Sequence, residues 1–277
     1  MKIADVSVYQ DTINWEKARQ ELELVIFRAS IGMNSDKKYH TYAAECGIPF
    51  GVYHYFKAGN AEDAKKEATF FYNNAIINDL KPLFFCLDIE YSTQTSSTTK
   101  IVCETARDTL KKLGAKKIGL YIGQSRYPYI KDIIDTFDFI WIPRYGKDTG
   151  YANEAYKPIY PCDIWQYTSK GSVAGIKTNV DLNQLCGNKD LNWYLSESEV
   201  SQKRVLFYLG YRTIRKGKQG RDVKELQEIL NELGFNCGKA DGIFGNMTKN
   251  AVMAFQAANG LEVDGICGPK TVQKIIG

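Results

Sequence analysis

Short apolar runs alternate with amphipathic stretches over residues 1 to about 195, a spacing that predicts strands alternating with helices. Eight runs read as strands: Lys2–Val6, Leu24–Ala29, Phe50–Phe56, Leu83–Glu90, Lys117–Ile122, Phe137–Pro143, Asp163–Tyr167 and Thr178–Leu182. Each is continuously apolar or bounded by Gly, Pro and Asn. Eight of them suit a sheet closed on itself, an α/β barrel. Helical periodicity fits between the early runs, at Asn14–Leu22, Tyr39–Cys46, Ala61–Ile77 and Thr98–Leu113, with Ser97 or Thr98 as an N-cap and Gly114 at the C-terminal end. From Tyr145 to Pro161 the helical period fades into a Tyr-, Lys- and Gly-rich stretch. The regular alternation is expected to give way there to loops and hairpins.

A second pattern starts near Arg212. Helical stretches at Asp222–Leu233, Thr248–Asn259 and Lys270–Ile276 predict a small all-α bundle. The latter two are preceded by an internal echo, Asp241-Gly-Ile-Phe-Gly-Asn-Met-Thr and Asp264-Gly-Ile-Cys-Gly-Pro-Lys-Thr. Asp-Gly supplies a tight turn with positive φ at Gly, and a Thr ahead of an apolar run starts a helix. Between the two patterns lie the polar SESEVSQK and the aromatic VLFYLGYR. The expected organisation is a barrel over 1–195, a linker over 196–211 and a module over 212–277.

Composition narrows the class. With 277 residues, 44% of them hydrophobic and 13% aromatic, the chain can bury a large core, which excludes disorder. Its net charge of +4 makes no case for a nucleic-acid partner, and most of that excess falls after residue 211, where ten Lys and Arg face seven Asp and Glu. No run approaches the ~18 apolar residues of a membrane span, so no membrane insertion is expected. MKIADVSVYQ lacks the basic-then-apolar run of a signal peptide, so synthesis in the cytoplasm is the expectation. Seven Cys are scattered without zinc-like spacing and are expected to be reduced thiols. The Asp-Gly turns lack both the Lys of a phosphate loop and the alternating acids of a calcium loop, so neither metal nor cofactor is expected.

The strongest chemical signal is Phe84-Phe85-Cys86-Leu87-Asp88-Ile89-Glu90. On a strand, residues i and i+2 share a face, which puts Asp88 and Glu90 within roughly 7 Å of each other. Crowding and partial burial should raise one pKa, leaving a protonated acid beside an ionised neighbour. The alternative is a solvated strand end with two surface acids, although so apolar a lead-in favours a strand buried on both faces. Asp5 follows the first apolar run and Asp181 lies near the end of the last. Either alone reads better as a loop or capping acid. Four acids at the ends of three strands would converge on one mouth of a barrel, where such folds carry their active sites. Tyr53, Tyr55, Tyr121, Trp141, Trp165 and Tyr167 interleave with these ends and suit stacking on sugar rings, Trp165 and Tyr167 most of all, while about half of the rest are expected in the core. His54 reads as a structural group. No G-x-S-x-G elbow occurs and no Cys has a motif-level partner, so nucleophilic Ser or Cys catalysis has little support.

Taken in order, Asp5-Val-Ser-x-Tyr-Gln, Tyr53-His-Tyr-Phe56, Leu87-Asp-Ile-Glu90, Trp165-Gln-Tyr-Thr and Val180-Asp-Leu-Asn183 resemble the glycoside hydrolase family 25 lysozymes, or Chalaropsis-type muramidases, over roughly residues 1–195. The resemblance implies an irregular (β/α) TIM-like barrel that cleaves the β-1,4 bond between N-acetylmuramic acid and N-acetylglucosamine in peptidoglycan. It further implies Glu90 as proton donor, Asp88 as its partner, and Asp5 and Asp181 as two further site acids. Residues 212–277 resemble the peptidoglycan-binding module of wall hydrolases, through Gly217-x-x-Gly220-x-x-Val223-x-x-Leu226-Gln227, Asp241-Gly-Ile-Phe-Gly245, Phe255-Gln256 and Asp264-Gly-Ile-x-Gly-Pro269. A substrate outside the membrane then implies release of a phage-type endolysin, by host lysis or through a pore, with an exported autolysin as the alternative. Two competing functions stand beside this one: a glycosidase of another acetylated glycan such as chitin, and a wall-binding lectin whose acids only hold hydroxyls.

Overall fold

The computed structural model describes residues 2–92, 94–196 and 213–276. The chain divides into two units, Met1–Leu195 and Ser196–Gly277. The expected linker 196–211 lies, Ser196 apart, outside the described residues. Among the described residues no helix is long and apolar enough to cross a membrane.

The first unit is a closed eight-stranded barrel. Its strands are β1 (Lys2–Val6), β2 (Leu22–Ile31), β4 (Phe50–Tyr55), β5 (Phe85–Asp88), β6 (Ile118–Tyr121), β7 (Phe139–Pro143), β8 (Ile164–Gly171) and β9 (Val180–Leu185). The two-residue β3 (Asn34–Ser35) hangs on β2 as a hairpin. Neighbours run parallel from β1 through β2 and on to β8, and β9 closes the ring antiparallel to both β8 and β1. The α/β barrel expected from the pattern is therefore present, and all eight predicted runs are strands of it.

Helices α1 (Trp15–Ala18), α2 (Tyr39–Glu45), α3 (Ala61–Ala75) and α4 (Ser96–Leu113) fill the early connections. Asn60 caps α3 by accepting from the Asp63 N–H at 2.9 Å, a contact of about 1 kcal/mol. Helix α4 starts two residues earlier than predicted, with Thr95 rather than Ser97 or Thr98 as its N-cap. Only one turn of the helix expected at Asn14–Leu22 forms, because Leu22 already pairs with Lys2 in the β1–β2 ladder. After β6 the connections are 3₁₀ turns and a hairpin, so the alternation decays even before Tyr145. Helix α5 (Leu191–Leu195) ends the unit.

Strand alternation sorts the barrel into two cores. One set of residues packs outward under the helices, including Val25, Phe27, Val52, Leu87, Leu120 and Ile142. The other fills the barrel interior: Ile3, Leu24, Ile26, Phe84, Cys86, Tyr121, Phe139, Trp141 and Ile164, with Tyr194 and Leu195 of α5 packed against it. Two large rings fit because their neighbours have no side chain. A Cβ on Gly51 would sit 2.1 Å from the Phe84 ring, and one on Gly119 2.1 Å from that of Phe139. Each fully buried phenylalanine contributes roughly 1.5–3 kcal/mol. The Tyr194 ring lies 5.7 Å from Phe84 and 5.4 Å from Phe139, both edge to face. Apolar side chains thus plug one end of the barrel, and polar ones are left to gather at the other.

The second unit holds α6 (Arg221–Glu232), α7 (Asn246–Ala258) and α8 (Pro269–Ile276) around Ile214, Val223, Leu226, Leu230, Phe244, Val252, Phe255 and Val272. The internal echo folds twice in the same way. Gln227 Oε1 accepts from Gly242 N–H at 2.8 Å, and its Nε2 meets Asp241 Oδ1, the Ile243 carbonyl and Thr248 Oγ1 at 3.0, 3.1 and 2.9 Å. Gln256 repeats this with Gly265 N–H at 2.9 Å and with Asp264 Oδ1, the Ile266 carbonyl and Thr271 Oγ1 at 2.7, 3.0 and 3.1 Å. Gly242 and Gly265 take φ of 78° and 69°, as the Asp-Gly turns require.

Candidate active site

The polar end of the barrel is built from the same inward positions that hold its apolar floor. Asp5 on β1 and Asp181 on β9 are register partners. Asp181 stands at the beginning of its strand rather than at the end. Because β9 runs antiparallel to its neighbours, its first residues reach the mouth that the other strands reach with their last. Asp5 is only 4% exposed, and its Oδ2 accepts from Gln166 Nε2 and Asn183 Nδ2, both at 2.9 Å. Gln166 is held in turn by the hydroxyls of Tyr121 and Tyr145, which donate to its Oε1 at 2.9 and 2.7 Å. Asn183 Oδ1 accepts from Trp141 Nε1 at 2.8 Å. Asp5 and Asp181 share a hydrogen bond, and Asp181 is pushed up to about 8 by burial and by the charge of Asp5. Burial also raises Asp5, against the pull of Asn183, Gln166 and Asp181.

Asp88 closes β5, and Glu90 lies two residues beyond it on the same side. Asp88 is buried, and its Oδ1 has no hydrogen-bond partner. Burial, then the charges of Glu90 and Asp5, hold its pKa well above the ordinary 3.8. Glu90 is exposed at the rim, where partial burial raises its pKa and Arg126 pulls it back. Arg126 fixes this segment by donating to the carbonyls of Glu90 at 3.2 Å, Tyr91 at 3.0 Å and Gln94. The expectation from sequence was that one of the two would be raised, without saying which. Both are raised, and the stronger upward push falls on Asp88, because it is the deeper of the two.

The aromatic expectations divide by strand parity. Tyr53 and Tyr55 are half-buried among the acids, Tyr53 edge-on to Trp141 at 6.0 Å and Tyr55 edge-on to Tyr91 at 6.1 Å. Tyr121 reaches the mouth through its hydroxyl. Trp141 faces inward but is 1% exposed, so its ring supports Asn183 and offers no face to a sugar. Trp165 is corrected more sharply, and Tyr167 shares its face. Gln166 between them points inward, so both lie on the outer face of β8. There Trp165 is 1% exposed and donates to the Arg144 carbonyl at 2.8 Å, and Tyr167 packs against the outer core. His54 is buried between Ser30 Oγ at 2.7 Å and Glu67 Oε2 at 3.1 Å, a structural group as expected.

Sequence reasoning missed Gln166, Asn183, Arg28 and Arg126. The first two carried a signal, since Asn183 shares the face of Asp181 and Gln166 is the polar residue inside an aromatic strand. Arg28 on β2 is clamped by Asp36, with Nε and Nη2 at 2.9 and 2.8 Å from Oδ2, and lies 5.1 Å from the ring of the exposed Tyr9. Its charge lowers the Asp88 pKa. Among the described residues no group of three or more His, Cys, Asp or Glu is arranged to hold a metal ion. What the mouth offers is four carboxylates with raised proton affinity, one of them exposed and one with a free acceptor. That set can donate a proton and hold a polar N–H or O–H.

Residues 4–176 match the glycosyl hydrolases family 25, and residues 219–275 match a peptidoglycan binding domain. The chain is 26% identical to the autolytic lysozyme of Clostridium acetobutylicum over 283 aligned positions, covering 98% of this chain and 77% of that one. It is 43% identical over 77 residues to the N-acetylmuramoyl-L-alanine amidase CwlM of Mycobacterium tuberculosis, which is 26% of this chain and only 19% of that protein's length. Among solved structures, the catalytic domain of the endolysin ply40 from bacteriophage P40 of Listeria monocytogenes superposes with a TM-score of 0.64 at 31% identity, over 70% of this chain and 96% of the other. Barrel, four-acid mouth and a match spanning more than half of the residues agree, and the chain belongs to family 25 of the glycosyl hydrolases.

Proposed function

We propose that residues 1–195 form a muramidase that cleaves the β-1,4 bond between N-acetylmuramic acid and N-acetylglucosamine in peptidoglycan, and that residues 212–277 hold it on the cell wall. The observation that carries this reading is the buried, unpartnered Oδ1 of Asp88 next to the exposed Glu90. A buried acceptor without a donor is costly, and an incoming ligand with an N–H relieves that cost. The 2-acetamido group of an amino sugar brings such an N–H beside the scissile carbon.

In this reading Glu90 gives its proton to the glycosidic oxygen, a role suited to a carboxyl raised by partial burial. Asp88 accepts the acetamido N–H, which favours its ionised form and orients the acetamido carbonyl oxygen to attack the anomeric carbon. Asp5 and Asp181, pinned by Gln166 and Asn183, hold sugar hydroxyls and tune the charge of the mouth. Tyr53 and Tyr55 line the entrance. A cationic second unit suits an anionic wall polymer, and its tether raises the local concentration of the barrel on an insoluble substrate. Likeness to an endolysin and to an autolytic lysozyme supports action on the wall, after release from the cell that makes the protein.

The test is digestion of purified Gram-positive peptidoglycan by the wild type and by Glu90→Gln, followed by borohydride reduction and mass spectrometry of the new ends. Reduced muramic acid ends made only by the wild type are expected. Reduced glucosamine ends would make the enzyme a glucosaminidase, and no new ends would leave a lectin. An inverted anomeric product in the first turnovers would rule out participation of the acetamido group.

A further inference from the structure

At the plugged end of the barrel, opposite the carboxylates, two thiols meet. Cys162 lies two residues ahead of β8 and Cys186 directly follows β9. Ile164 and Leu185 are register partners in the antiparallel β8–β9 pair, so the residues just outside them come together. The two Sγ atoms are 3.3 Å apart, and Cys186 Sγ is also 3.3 Å from the Cys162 carbonyl oxygen. Gly187 keeps the chains this close, since a Cβ there would lie 2.6 Å from Asp163 Oδ1. The other five cysteines are buried, whereas these two are partly exposed. Both line a cavity of about 580 Å³ together with Lys157, Tyr160, Asp163 and Lys189. Lys189 pairs with Asp163 at 2.9 Å, while Lys157 reaches only 4.0 Å from Glu154.

We propose that Cys162 and Cys186 form a thiol–disulfide exchange site whose substrate is a small soluble disulfide admitted through this cavity. The Cys162 S–H and the charge of Lys157 favour the thiolate of Cys186, formed when Cys186 gives up the proton it otherwise donates to the Cys162 carbonyl, and the contact with Cys186, then burial, disfavours that of Cys162. Cys186 therefore attacks first. Its sulfur bonds to one sulfur of the reagent, the reagent's own bond breaks, and one small thiolate leaves. Cys162 then attacks Cys186 Sγ and expels the second. The protein loses two electrons and two protons, and the small disulfide gains them as two thiols. The new bond joins the start of β8 to the end of β9 and seals the only antiparallel hairpin of the eight-stranded ring. No carboxylate of the mouth takes part.

The full-length chain incubated with glutathione disulfide, alkylated, digested with trypsin and read by mass spectrometry gives the test. The peptide ending at Lys170 is expected joined to the peptide ending at Lys189, with two hydrogens lost, restored by dithiothreitol, and with the other five cysteines alkylated once unfolded. Cys162→Ser is expected to stop at a stable glutathione adduct on Cys186. The oxidised wild type should melt higher than the reduced form and lyse peptidoglycan at the same rate. Glutathione left on Cys186 of the wild type without the cross-link, no modification of either residue, or a cross-link elsewhere would overturn the proposal.

Discussion

Aspartate does opposite things in the two units. Asp241 and Asp264 in the second unit accept backbone N–H groups from Ile243 at 2.9 Å and Ile266 at 2.8 Å, as well as Gln227 and Gln256. Those donors hold both carboxyls below the ordinary range. In the barrel mouth burial pushes Asp5, Asp88 and Asp181 upward, and the charge of Asp5 pushes the other two further. The contrast separates a carboxylate that completes a turn from one whose burial at the mouth raises its proton affinity. It is not a matter of which unit the residue belongs to. Asp148 in the barrel accepts Thr168 Oγ1, Ser169 N–H and Ser169 Oγ at 2.6, 2.9 and 2.8 Å, and its pKa is lowered like those in the second unit.

The largest effect that tests this division is on turnover. Glu90→Gln and Asp88→Asn should each cut the rate of peptidoglycan cleavage by about 10²–10⁴-fold, while Asp88→Asn leaves thermal stability unchanged or higher, because it removes a buried carboxyl whose Oδ1 has no donor. A Tm that falls with Asp88→Asn would make that residue a structural acid. The reverse is expected in the second unit. Gln227→Ala and Gln256→Ala should each destabilise it by about 1–3 kcal/mol, seen by calorimetry, with little change in cleavage of soluble fragments. Two clearly unequal losses would break the equivalence of the loops.

Asp148→Asn should cost about 1 kcal/mol in denaturant unfolding of the barrel, the behaviour of a turn-completing acid inside the catalytic unit. A further effect is a pH dependence. Asp181 binds its proton with a pKa of about 8 in the folded barrel against an ordinary 3.8. Folding therefore takes up a proton between those values, and the stability this contributes is whole below the lower one and lost as pH rises through the upper. Unfolding followed from about pH 4 to about pH 9 should show Asp181→Asn gaining on the wild type as pH rises; parallel profiles would remove Asp181 from the coupled set.

Much of this division was legible in the sequence, for physical reasons. Inward and outward residues alternate with period two, so apolar runs marked all eight barrel strands, and Asp88 and Glu90 had to share a side. Parity applied to Trp165-Gln166-Tyr167 would have put Gln166 at the acids and the two rings outside. The polarity of β9 was readable as well, since the span from Tyr167 to Thr178 is too short for a helical crossover. What could not be read was the distribution of protons. Asp88 exceeds Glu90 in proton affinity because of depth, and depth is set by β4 and β6 on either side of β5 rather than by the local run. Arg126 was equally silent, a loop residue with no period to place it. The paired thiols escaped notice because 24 residues separate them and only the hairpin brings them together.

The antiparallel closure of the ring has a consequence for timing. Gln166 and Asn183 arrive on one hairpin, but the residue they clamp, Asp5, lies 161 and 178 positions earlier in the chain. Contacts of such long range are the slow ones to form. A nascent chain can have β5 in place, with Asp88 and Glu90 on it, long before the ribosome has released β9. Until the first strand meets the last, Asp5 has no clamp and the mouth has three acids instead of four. Assembly order thus leaves the mouth incomplete until the last strand of the barrel is made.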